Sequence, residues 1–528
     1  MRSFFKTGRS TVYARTAAVA TSHPASSLVA LDVLRTGGNA VDAAIAAVAV
    51  QAVVDPHMTG IGGDCFALYT PKGASAPIAL NGSGKAPAAA SVEALIDQGL
   101  TEIPLDSPHA VTIPGAIAAW SKLLDDYGTR SLGELLQPAI RMAEEGYVVQ
   151  PRVAYDWAQY APRLQRDAES VAVFLPGGKA PAPGDIHYQP KLAATLRKIA
   201  EGGRDAFYTG EIAEDSVARL RELGGVHTLD DFAAAQAEYV TPVTTKYRGY
   251  DVYECPPNGQ GLGVLMMLNA LEGYDLSPEA LNEADRLHLF AEINKQVYHH
   301  RDHLFADPMH ASVAVEDLLS PEWAAYARSN VDMARAAPPT VWPKVAHTDT
   351  IYLCVVDGEG NAISFINSIF HQFGSCIMPP TSGYLLHNRG AQFRLIKGHP
   401  NALGPNKRPL HTIIPGMLMK DGKTVAPFGV MGGQYQTMGH VELLTNIIDR
   451  GMDVQQAMEA PRSFAYNGAL ELEPDCGADL LAAMKARGHE AKWAANPLGG
   501  AQMIWIDPDT GVLAAGSEPR KDGMALGY

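Results

Sequence analysis

The run Ala40 to Val54 has Asp42 and Gln51 as its only polar members, so any helix it forms is apolar around its whole circumference. Such a helix must be covered on every side by the rest of the molecule. At about fifteen residues it is also short of the roughly 20 needed to cross a bilayer. A buried helix is therefore expected. Its start is marked by Asn39 as N-cap and by Asp42 at N3, favourable against the positive end of the helix dipole. It stops before Asp55-Pro56. A preceding helix from Pro24 to Thr36 ends at Gly37-Gly38, where glycine takes the left-handed conformation a helix end requires.

The 528 residues, 47% hydrophobic and 19% charged, can bury a large core without long disordered segments. A net charge of -15 argues against a nucleic-acid partner and favours small-molecule chemistry. Cys65, Cys255, Cys354, Cys376 and Cys476 are scattered and never spaced as CxxC, which suggests neither a disulfide framework nor a zinc knuckle. Met1 to Arg15 holds four basic residues but no apolar h-region, so no secretion signal is read and a reducing, cytoplasmic location is expected, without membrane attachment.

Thr59 to Asp64 is glycine-rich and leads into an alternating strand, Cys65 to Thr70. No Lys-Ser/Thr follows Gly60-Ile61-Gly62-Gly63, so a tight backbone turn is preferred over a phosphate loop. Helices are expected at Gly115 to Tyr127, Ser131 to Glu145, Leu192 to Gly202 and Ser277 to Phe305, with proline-rich loops at Leu175 to Pro183 and Cys255 to Gly261. His299-His300-Arg301-Asp302-His303 has the i,i+4 histidine spacing of a metal pair, but it lacks the HExxH glutamate and holds an arginine, so it reads as a polar helix face. No metal or cofactor is expected. Cys65 and Cys376 read as small buried hydrophobes rather than nucleophiles. Two strands, Thr350 to Asp357 and Ala362 to Ile369, follow a connector at Ala337 to Val345, and helices at His440 to Asp449 and Val454 to Ala460 close the chain.

Thr350 heads the first of those strands. A mid-chain threonine hydroxyl is a poor nucleophile near neutral pH, but a cut between Asp349 and Thr350 would supply an α-amino group as its base. The ordered set Ala20–Pro24, Gly37–Ala44, Gly60–Gly63, Phe207–Gly210, Pro256–Gly261, Thr350–Asp357, Phe373–Ser375, Leu410–Pro415 and Gly432-Gly433 resembles the γ-glutamyltransferase (γ-glutamyltranspeptidase) family along nearly the whole chain. The resemblance implies an N-terminal nucleophile hydrolase with an α+β, four-layer αββα sandwich. It implies one precursor that cuts itself into a large subunit, residues 1–349, and a small subunit, residues 350–528, held as a heterodimer that can pair again as a dimer of heterodimers. Thr350 would be nucleophile and, through its amine of pKa about 8, its own base. Ser368 would orient it. The N–H groups of Gly432 and Gly433 would form the oxyanion hole, where losing one donor typically costs about 10²–10³ in rate.

The recognition positions depart from the family pattern. Ser83 stands where an arginine binds the substrate α-carboxylate, and Gln392 where an acidic residue binds the α-amino group. His411 and Thr412 replace a serine pair, and Phe370 replaces an asparagine. Arg389 offers a new carboxylate partner through its planar fork. The Asn388-Arg389-Gly390 turn resembles the γ-glutamyltransferase-like, or cephalosporin-acylase-like, branch. The expected activity is hydrolysis or transfer of a small γ-glutamyl-like amide such as glutathione. The alternatives are an amidase for a dicarboxylic monoamide without an α-amino group, of glutaryl or oxamate type, and an unprocessed relative that only binds.

Overall fold

The apolar run becomes one helix, Ala40–Val54, with every residue buried. Asn39 and Asp42 form a reciprocal capping box: the Asp42 N–H donates to Asn39 Oδ1 at 3.0 Å and the Asn39 N–H to Asp42 Oδ2 at 2.9 Å. Asp42 also accepts the N–H groups of Thr129 and Arg130. These charge-assisted bonds let a carboxylate sit at zero exposure. Residues 8–338 and 350–528 are described by the computed structural model.

Two seven-stranded sheets, antiparallel throughout, form the centre. The first runs Met524–Gly527, Ala18–Thr21, Ile351–Val356, Ala362–Ser368, Asp64–Thr70, Ile78–Gly82, Glu238–Val240. The second runs Val12–Ala14, Leu513–Ser517, Gly500–Ile506, Lys423–Met431, Gly416–Lys420, Tyr250–Glu254, Val243–Tyr247. Strand Ile351–Val356 shows how they stack. Successive side chains point to opposite faces: Ile351, Leu353 and Val355 enter the core shared with helix Ala40–Val54, whereas Tyr352, Cys354 and Val356 enter the core between the sheets. Beyond the second sheet a further core holds helices Gly261–Leu271, Glu283–Leu304 and Gln436–Ile448. Three cores separating four layers make the αββα sandwich. Among the described residues, no helix is long and apolar enough to cross a membrane.

Most expected helices are present, with shifted ends. The segment Ser131 to Glu145 is two helices, Leu132–Leu135 and Gln137–Glu145, and the helix expected from Ser277 starts at Glu283, where Asn282 caps it. The larger correction concerns the end of the chain. Helix Ala478–Ala486 and strands Gly500–Ile506, Leu513–Ser517 and Met524–Gly527 follow the two helices expected to close it. The small residues Ala514-Ala515-Gly516-Ser517 carry little strand signature in isolation. Neighbouring strands supply their pairing. Gly416–Lys420 and Lys423–Met431 were likewise not anticipated. Cys65 and Cys376 are buried, and burial pushes both thiols up. His299 and His303 are exposed, but Arg301 and Asp302 between them are buried, so that segment is only half a polar face.

Candidate active site

Thr350 precedes strand Ile351–Val356 and is 1% exposed. Ile351 pairs with Asn367, so one more step of the same register brings Thr350 opposite Ser368. The Thr350 hydroxyl donates to the Asn367 carbonyl at 3.1 Å. Asn367 is itself anchored, its amide bound to Thr59 Oγ1 and the Gly60 carbonyl. The glycine turn serves the same place: a Cβ on Gly63 would lie 2.3 Å from the Ser368 carbonyl, and one on Gly62 2.2 Å from that of Leu385. Glycine is needed there for close backbone approach. Asp349 lies outside the described residues.

Around Ser368 lies a buried charged cluster that the sequence motifs only partly announced. Arg389 is fully buried; its Nη2 is 3.3 Å from Ser368 Oγ, and its Nη1 donates to Thr412 Oγ1 at 2.8 Å. The Phe370 ring sits 4.0 Å from the guanidinium carbon, a cation–π contact. Phe370 takes a φ of 77°, a conformation costly for an aromatic residue and typical of functional sites. Its N–H donates to Ser368 Oγ at 2.9 Å.

The counter-charge is Asp64, whose Oδ2 is 3.7 Å from Arg389 Nε, 3.2 Å from His387 Nδ1 and 2.8 Å from His411 Nε2. Burial opposes its ionisation, but the His387 and His411 contacts outweigh it and hold the carboxyl far below the usual range. His411 is pushed down to about 3 by burial and by the Arg389 cation, so it is a neutral ring. Its Nε2–H donates to Asp64, and its Nδ1 accepts the Ile413 N–H at 3.3 Å. Both ring nitrogens of His411 are thus engaged by protein groups. Burial lowers Arg389 to about 9, only partly offset by Asp64. It is a cation with less negative charge beside it than it needs.

Ser83 and Arg389 flank the same carboxylate. The N–H of Gly84, next to Ser83, donates to Asp64 Oδ1 at 3.0 Å. Ser83 Oγ accepts from Asn258 at 3.1 Å. Arg389 brings a positive charge to the Asp64 carboxylate from the Asn388 turn, while Arg408 Nε donates to the Ser83 carbonyl at 3.0 Å. Gln392 ends that turn, but no hydrogen bond joins its side chain to Ser368 or Thr412, and its Nε2 is buried without an acceptor among the described residues.

Gly432 and Gly433 follow strand Lys423–Met431, with φ of 125° and 55°. That strand lies against the Thr350 strand, since a Cβ on Gly429 would meet the Tyr352 ring at 2.4 Å. Neither glycine N–H has an acceptor among the described residues. Gln260 joins this pair to the arginine: its amide nitrogen donates to the carbonyls of Thr412 at 2.7 Å and Gly433 at 2.9 Å. Gly432 also lines a cleft with Asp156, Gln159, Tyr160, Gln372 and Asn496. Thr350, Ser368 and Arg389 thus lie together, and Gln260 ties the Gly433 backbone to Thr412 beside the arginine.

The Gamma-glutamyltranspeptidase family profile matches residues 26–528. The chain belongs to the γ-glutamyltranspeptidase family. It is 37% identical to the Glutathione hydrolase-like YwrD proenzyme of Bacillus subtilis (strain 168), over 94% of this chain and 95% of that one. It is 35% identical to the Oxamate amidohydrolase proenzyme of Klebsiella pneumoniae subsp. pneumoniae, over 97% and 98%. The crystal structure of cephalosporin acylase from Bacillus halodurans superposes with a TM-score of 0.94 at 40% identity, covering 100% of this chain and 98% of that one. As a member of this family the protein is an N-terminal nucleophile amidohydrolase.

Asp64, His387 and Gln260 were absent from the sequence-based site of this γ-glutamyltranspeptidase-family chain. Asp64 directly follows the glycine turn, and an acidic residue beside so tight a turn was the available signal. One cluster among the described residues has metal-ligand chemistry: His288, Glu292 and His489. It is a closed set, with the two histidines 2.7 Å apart and the Lys295 ammonium 2.6 Å from Glu292, which makes that carboxylate a poor ligand.

Proposed function

We propose that the chain is the precursor of a threonine amidohydrolase that cuts itself between Asp349 and Thr350, leaving residues 1–349 and 350–528 joined as a heterodimer. The mature enzyme hydrolyses a small amide whose acyl group carries a carboxylate but no α-ammonium. The Thr350 amine takes the hydroxyl proton as Oγ1 attacks the amide carbonyl. Gly432 and Gly433 N–H groups stabilise the oxyanion, the Thr350 ammonium gives its proton to the leaving nitrogen as the C–N bond breaks, and water then releases the acyl group from the ester.

The observation that carries this reading is Arg389, a fully buried and under-compensated guanidinium at Ser368. A substrate carboxylate would provide the missing negative charge through charge-assisted bonds. Gln392 offers no charge to an ammonium. Oxamate, the substrate in the name of one relative, has this acid-amide form. A γ-glutamyl amide is the second reading, favoured by the glutathione hydrolase-like relative.

On a denaturing gel the purified protein is expected as two bands, the smaller beginning at Thr350, and Thr350→Ala as one band. Glutaryl-p-nitroanilide and oxamate should be turned over faster than γ-glutamyl-p-nitroanilide. Equal or better turnover of the γ-glutamyl substrate would shift the assignment to the second reading.

A further inference from the structure

Gly432 and Gly433 are two successive glycines with positive φ, the backbone least able to hold its own shape. An oxyanion donor stabilises charge only when its position is set beforehand. Something outside the loop must therefore hold it. Two sequence segments without a role in the chemistry meet at this point: Pro256–Gly261, and the half-buried His299–His303 stretch of helix Glu283–Leu304.

Gln260 is fully buried and uses its whole amide. Its nitrogen bridges the Thr412 and Gly433 carbonyls, and its oxygen accepts Arg301 Nη1 at 2.9 Å. The same Nη1 donates to Gln434 Oε1 at 2.5 Å. Arg301 is pinned in turn by Asp302, at 2.8 Å from Nε, and by the Tyr298 ring 4.1 Å from its guanidinium carbon. Tyr298 donates its hydroxyl to the Gln434 carbonyl. A guanidinium can only donate, so it fixes which way the Gln260 amide faces: oxygen to Arg301, NH₂ to the two carbonyls. The reverse orientation would set three oxygens against one another and two donors face to face.

We propose that Gln260 and Arg301 are positioning residues for the oxyanion hole, fixing the Gly432–Gly433 backbone relative to Thr412 and hence to Arg389. The proposal rests on the reading of Gly433 as an oxyanion donor. Neither residue touches substrate; both act through the backbone.

The test uses the cut enzyme, with kcat expressed per site titrated by the p-nitroaniline burst from glutaryl-p-nitroanilide. Gln260→Leu is expected to lower kcat per titrated site at least tenfold while KM stays within about twofold, since loosening a donor costs less than the about 10²–10³ of removing it. Arg301→Lys keeps a cation beside Tyr298 but cannot bridge two glutamines, and it should change kcat in the same direction if Gln260→Leu folds poorly. A merely structural role lowers the fraction of titratable sites and leaves kcat per site intact. That result, with Thr350→Ala inactive, overturns the proposal alone. Retained turnover in Thr350→Ala overturns instead the reading of the site beneath it.

Discussion

In the proposed reaction Arg389 binds the acyl carboxylate with a guanidinium that is itself fully buried. Truncating a buried, hydrogen-bonded charge costs about 2–5 kcal/mol at a binding site. Arg389→Met is therefore expected to lower kcat/KM on the glutaryl amide by about 10²-fold or more, measured by initial rates. It should also cost the fold about 3 kcal/mol or more in urea unfolding, because Asp64 is left in the interior without its cation. Arg389→Lys should fall between, since an ammonium lacks the planar fork. Gln392→Glu tests the other half of recognition. A carboxylate there should raise the γ-glutamyl to glutaryl rate ratio, by about tenfold if it reaches the ammonium directly. An unchanged ratio would remove Gln392 from the site.

The helix Gln436–Ile448 begins immediately after the Gly432–Tyr435 turn and holds it through its own buried acid. The Tyr435 hydroxyl donates to Glu442, which also accepts the Ser463 N–H and hydroxyl. Burial raises Glu442 to about 7, against the opposing pull of Tyr435, Arg286 and Arg462. The folded protein thus keeps a proton that the unfolded chain releases near 4.5. This contribution is fully present below pH 4.5 and is lost as pH rises towards 7, at up to about 1.4 kcal/mol per unit. Glu442→Gln mimics the protonated acid, and its melting temperature should fall less across that window than the wild type's. Elements of this kind were legible where periodicity and capping agree. Helix Ala40–Val54 lies where its cap residues and apolar run put it. Leu513–Ser517 and Met524–Gly527 were harder to read because the first is built of small residues and each pairs on one side with a strand from the start of the chain.

Both sheets interleave strands from the two sides of the proposed cut. Ile351–Val356 pairs with Ala18–Thr21, Ala362–Ser368 with Asp64–Thr70, and Gly416–Lys420 with Tyr250–Glu254. Cleavage would remove one peptide bond and leave these ladders and three shared cores in place. The two fragments are expected to co-elute on native size exclusion and to separate only in denaturant. Separation under native conditions would contradict the heterodimer.

Thr350 at the head of an apolar strand, the glycine pair at 432–433 and the ordered motifs that start at Ala20 are local patterns, and local patterns are what one chain displays directly. Through the family resemblance they carry, they pointed to the reaction class and the αββα architecture. The environment of each charge was decided only by the tertiary structure. His411 becomes the neutral partner of Asp64, Arg389 comes to face Ser368, and Arg301 reaches the Gly432–Gly433 loop through Gln260. Burial and distance set the strength of an electrostatic interaction. Both arise only when separate segments meet in the folded chain, as Asp64 and His411 do from 347 residues apart.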